Sequence, residues 1–101
     1  MDVEASHLAL IRSILTRHIP SYEVWAFGSR VTGKARTYSD LDLCIVGEQP
    51  LDPAVAAALA EDLSESDLPY KVDLVDWART SPSFRTIIER EKVVLLSPSE
   101  G

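Results

Sequence analysis

Cysteine is almost missing from this 101-residue chain: Cys44 stands alone. That excludes an internal disulfide and a multi-cysteine zinc site. Histidine is nearly as scarce, and neither His7 nor His18 has a partner at ligand spacing; both read as solvated or helix-end residues. Basic residues are in deficit, 10 Lys and Arg against 16 Asp and Glu, for a net charge of −6. This argues against a protein whose main task is gripping nucleic-acid backbone. It favours a small anionic ligand carried in with divalent metal, or a basic protein partner. No apolar run approaches the ~20 residues of a membrane span. Asp2 and Glu4 break any secretory leader, so the expectation is a cytoplasmic chain without membrane contact. Repeats, linkers and low-complexity segments are absent too. The chain reads as a single domain over residues 1–101, with 97–101 a frayed tail. Its core should be thin, leaving much of any substrate cleft to a partner.

What is present is regular alternation of helix and strand signals. Residues 4–19 carry Leu8, Ile11 and Leu15 at helical spacing, and Pro20 stops them. Tyr22–Phe27 is a β-branched and aromatic strand ending at Gly28. Residues 29–36 predict a turn and a short helix broken at Gly33. Asp40–Val46 is a second strand, with Leu41, Leu43 and Ile45 on one face and Asp40, Asp42 and Cys44 on the other. Asp52-Pro53 caps a helix running to about Leu63, followed by a polar break over Ser64–Leu68. Tyr70–Trp77 is the third strand. Ser81-Pro82 opens a last helix with Phe84, Ile87, Ile88 and Glu91 at helical spacing. The order is α-β-α-β-α-β-α, with room for an edge strand over Val93–Leu96. The fold class is α/β (α+β), a small mixed sheet of three to four strands flanked by helices.

Strands disfavour aspartate, so two on one face of an apolar strand need a reason. Side by side they repel by roughly 4 kcal/mol at 4 Å in a surface-like dielectric. A cation between them removes that cost, and oxygen-only ligands suit Mg²⁺ or Mn²⁺ rather than zinc. On the third strand, Asp73 lies on the open parity, while Asp76 falls on the core parity at the strand end. Asp40, Asp42 and Asp73 are therefore the expected metal ligands, with Asp76 hydrogen-bonded or capping the next turn. Two metals ~3.5–4 Å apart activate a hydroxyl and steady a leaving pyrophosphate; Asp73 is the candidate for the hydroxyl's proton. Gly28 and Ser29, between strand and helix, offer backbone N–H groups and a hydroxyl to phosphate oxygens. Alone, such a pair is usually just a turn; its distance from the aspartates raises its weight. Arg30, Lys34 and Arg36 add positive charge for a triphosphate or an acidic partner surface. Cys44 reads as a small packed strand residue.

Gly28-Ser29, ten intervening residues and Asp40-Leu41-Asp42 together resemble the signature of the nucleotidyltransferases of the DNA polymerase β superfamily. With the third-strand aspartate and the strand order, the chain is most similar to the minimal nucleotidyltransferases, which are encoded beside a helical HEPN-type partner. Several of these act as antitoxins. The resemblance covers nearly the whole chain and implies the nucleotidyltransferase fold. It implies that Gly28 and Ser29, with Arg30 beside them, bind nucleotide, and that Asp40, Asp42 and Asp73 hold two Mg²⁺. It also implies transfer of AMP from ATP to a hydroxyl, a tyrosine of the HEPN-type toxin in the antitoxin branch. Thr32 departs from the arginine that many relatives carry before the glycine, which bears on phosphate or partner contacts. Antibiotic-modifying members have a further acceptor-binding domain for which this chain has no room. Two rival readings remain: a module that neutralises its partner by binding alone, and a nucleotide-binding subunit whose partner holds a small-molecule acceptor.

Overall fold

The computed structural model of the chain describes residues 1–36 and 39–98. Cap and proline chemistry sets the helix starts. Asp52 Oδ1 accepts from the N–H groups of Ala54 (2.8 Å) and Val55 (3.4 Å), with Pro53 at the first helical position, so α3 spans Pro53–Glu65. Ser81 does the same for α4, Pro82–Glu91, accepting from Phe84 N–H at 3.2 Å. Helix α1 spans Ala5–His18 and the one-turn α2 spans Ser29–Thr32. The Asp52 cap is the easiest of these to weigh. Asp52→Ala should lower unfolding free energy by about 1 kcal/mol; thermal unfolding should show Tm falling by roughly 4–8 °C.

Four strands form one mixed sheet in the order β3-β2-β1-β4. They are β1 (Glu23–Phe27), β2 (Leu41–Val46), β3 (Val72–Asp76) and β4 (Val93–Leu96). Strand β1 runs antiparallel to both β2 and β4, while β2 and β3 are parallel, joined across α3. The last strand thus returns to the first, and β4 is an edge, as the Val93–Leu96 pattern allows.

Period-two alternation gives the sheet two different faces. Val24, Ala26, Leu41, Leu43 and Ile45 join Ile11, Leu15 and Leu59 in a core between the sheet and α1/α3. Trp25, Phe27 and Cys44 face the other way and pack with Ile88 of α4, flanked by Val75 and Trp77. The face expected to open into a cleft is therefore half core. Where β1 and β2 reach Phe27 and Asp42, the half-buried Asp42 carboxylate joins this face. Cys44 is fully buried there, and burial first, then the charge of Asp76, pushes its thiol up to about 11 despite Arg85. It is an inert packing residue, as expected.

Several boundaries differ from the sequence reading. Asp40 stands one residue before β2, and Tyr70 and Lys71 precede β3, where Leu41 N–H bonds Lys71 C=O at 2.9 Å. Trp77 turns into a 3₁₀ segment, Trp77–Arg79, rather than extending the strand. Of the expected tail, residues 97 and 98 have no regular structure and 99–101 lie outside the described residues. Both histidines are half-buried. His18 ends α1 but bonds Asp62 Oδ2 of α3 at 2.8 Å, a contact that holds the Asp62 carboxyl below its usual range. His7 meets the Tyr70 ring edge-on. Both tether α1 to its neighbours. Among the described residues, no helix is long and apolar enough to cross a membrane.

Candidate active site

The turn after β1 is shaped by what it must pass. Gly28 sits at φ +84°, ψ −161°, a backbone region that is essentially glycine's alone. The register pairs Phe27 with Asp42, so the next residue runs directly over the Asp42 carboxylate. A Cβ on Gly28 would lie 2.3 Å from Asp42 Oδ2. Glycine is needed here twice over, for conformation and for contact. The Gly28 carbonyl then accepts from Val31 and Thr32 N–H, both at 3.0 Å, which winds α2 and presents Ser29 at its start. Gly33, left-handed at φ +81°, ends that turn as its sequence position predicts.

The carboxylates gather against this turn. Parallel pairing of β2 and β3 places Asp42 directly beside Asp73, on neighbouring strands and the same face. Asp42 is half-buried, and its carboxyl is pushed above the usual range, by burial first and then by Asp73, Asp40 and Glu91. Those three charges all oppose the ionised form. Asp73 is the more open member, with 42% of its side chain exposed, and it leans on Lys71 Nζ at 3.3 Å. Among the described residues, no three His, Cys, Asp or Glu side chains already converge as a metal cage. The donor set nonetheless fits a hard divalent cation: all oxygen, half-buried, and charged against itself.

Arg30 takes an unexpected place. It is buried, with 7% exposed, donating from Nε to Ser39 C=O (2.8 Å) and from Nη1 to Asp2 C=O (3.0 Å). Its guanidinium also stacks 3.9 Å over the Tyr70 ring. These contacts pin the backbone immediately before Asp40. Lys34 and Arg36 remain exposed. Asp76, on the opposite parity, accepts the Leu51 N–H through both oxygens, at 3.3 and 3.1 Å, and fastens the loop between β2 and α3.

One neighbour of the site was missed in sequence. Glu91 Oε2 accepts the Gly28 N–H at 3.0 Å across 63 residues. The signal was available: Phe84, Ile88 and Glu91 share one face of α4, so a carboxylate ends the very stripe that packs on the sheet.

Comparison with known proteins agrees with this fold. The family model described as polymerase beta, nucleotidyltransferase matches residues 10–101. A probable protein adenylyltransferase MntA from Haemophilus influenzae is 54% identical over 95 residues, covering 94% of this chain and 83% of that protein. A crystal structure of a toxin–antitoxin with AMP-PNP is similar at a TM-score of 0.75 and 26% identity, over 92% of this chain and 75% of that one. A tri-AMPylated Shewanella oneidensis HEPN toxin in complex with MNT antitoxin includes a chain similar at a TM-score of 0.63 and 25% identity, over 89% of this chain and 72% of that one. Nine-tenths of the sequence lies within the family match, and the chain belongs to the polymerase β nucleotidyltransferases.

Proposed function

We propose that this chain is a Mg²⁺-dependent adenylyltransferase that moves AMP from ATP to a hydroxyl, a tyrosine, of a helical HEPN-type partner, and silences that partner as its antitoxin. The observation that carries the reading is the pairing of Asp42 with Asp73 beneath the Gly28 turn. It is supported by the similarity to the Haemophilus influenzae protein, named as a probable protein adenylyltransferase, and to a chain solved with an AMPylated HEPN toxin.

In this mechanism Gly28 and Ser29 would hold the triphosphate, and Asp40, Asp42 and Asp73 would hold two Mg²⁺. Arg30 acts through the Ser39 carbonyl, keeping Asp40 in place. When bound, the ions would offset phosphate charge and acidify the acceptor hydroxyl. The acceptor oxygen attacks the α-phosphorus, the bond to the β-phosphate oxygen breaks, and its electron pair leaves with pyrophosphate. Asp73, the more open member of the pair, takes the hydroxyl proton. Positioning and charge neutralisation carry the rate.

The test is to incubate the purified chain and the helical partner that co-purifies with it with Mg²⁺ and ATP labelled in the α-phosphate. Label on the partner polypeptide is expected. Label on a small molecule selects a two-component enzyme with a different acceptor. Silencing of the partner without label selects neutralisation by binding alone.

A further inference from the structure

We propose that Glu91 is a built-in competitor of the nucleotide: its carboxylate accepts the Gly28 N–H and must withdraw when a triphosphate is seated there. The proposal rests on the nucleotide reading of the Gly28 turn and concerns how that site is regulated.

The contact is built, not incidental. Ile88, one turn before Glu91, is fully buried, and the Phe84 ring meets Phe27 edge-on with centroids 5.7 Å apart. This face of α4 is therefore locked onto β1 just before the glycine. Immediately after Glu91, Lys92 places its Nζ 4.0 Å over the Trp25 ring, and β4 begins. The half-buried Glu91 side chain is thus delivered to the turn from a fixed helix end, and its oxygen reaches the Gly28 amide at 3.0 Å.

Chemically, the carboxylate is an oxygen anion on a backbone donor, as a phosphate oxygen would be. One N–H cannot serve two anions well, and two anions at one donor repel each other. A triphosphate arriving here displaces a bonded carboxylate before gaining its own contact, so its apparent affinity is the intrinsic one multiplied by the fraction of molecules with the turn free. Withdrawal of Glu91 also couples nucleotide occupancy to the last turn of α4 and the start of edge strand β4.

The experiment titrates MgATP into the full chain by calorimetry and follows the Gly28 amide in ¹⁵N spectra. Parent, Glu91→Gln and Glu91→Ala are compared, the last returning no oxygen to the turn. The expected result is roughly tenfold tighter binding in the variants, the scale of one charge-assisted hydrogen bond. The Gly28 resonance should move on substitution. Binding no tighter in both variants overturns the proposal. A parent that binds no ATP overturns the nucleotide reading, and this proposal with it; a parent that binds while the variants gain nothing overturns this proposal alone.

Discussion

Asp42→Asn is expected to lower AMP transfer to the partner by roughly 10³-fold or more, the scale of losing one central electrostatic contact. The same substitution should stabilise the metal-free chain. Asp42 titrates above an ordinary carboxylate because burial, Asp73, Asp40 and Glu91 all disfavour its charge. A folded pKa above the unfolded one means the ionised group costs stability at neutral pH. That cost begins to shrink as pH falls through the folded pKa, where the native group protonates, and is gone below the unfolded pKa. Asparagine removes it at every pH. Thermal unfolding at pH 7 without metal should therefore show a higher Tm for the variant than for the parent. The gap to the parent should close on acidification. Lower activity with higher stability is the signature of a charge kept for function. A variant both inactive and less stable would point to a structural role for Asp42 instead.

Gly28→Ala should have the larger effect on the fold. Forcing a side chain to φ +84°, ψ −161° costs on the order of 1–3 kcal/mol. The new Cβ also meets Asp42 Oδ2 at 2.3 Å and its Cγ at 3.2 Å, so this short, half-buried side chain must shift. A loss of about 3 kcal/mol is expected, lowering Tm by 10 °C or more and abolishing nucleotide binding. Gly33 supplies the control. It is also left-handed, at φ +81°, but nothing lies within 4 Å of its Cβ position. Gly33→Ala should cost only the backbone term, roughly 1 kcal/mol, and leave binding intact. Equal losses at both glycines would remove the close approach to Asp42 from the explanation.

Most of this fold is legible in sequence because its signals are local. Asp52-Pro53 and Ser81-Pro82 announce two helices through chemistry contained in a few residues. The split between Leu41, Leu43, Ile45 and Asp42, Cys44 follows from strand parity alone. Parity likewise separates Asp73 from Asp76, and parallel pairing then brings Asp73 to Asp42. What stayed hidden depends on contacts between distant elements. Trp25, Phe27 and Cys44 lie on the aspartates' side of the sheet, yet they form a second core because α4 closes over them. Arg30 stands in a phosphate-turn sequence beside two other cations, and its spacing could not reveal an inward turn toward Ser39, Asp2 and Tyr70. Glu91 reaches Gly28 only once α4 has docked.

The central claim is that Asp42 and Asp73, beneath the Gly28 turn, transfer AMP to a protein partner. The most direct test is the intact mass of the helical partner isolated with this chain from its native cells, beside the same partner isolated with the Asp42→Asn chain. The account predicts a partner heavier by a whole number of AMP groups with the parent, attached to tyrosine, and unmodified with the variant. A partner of unmodified mass with both, or equally modified with both, would contradict it.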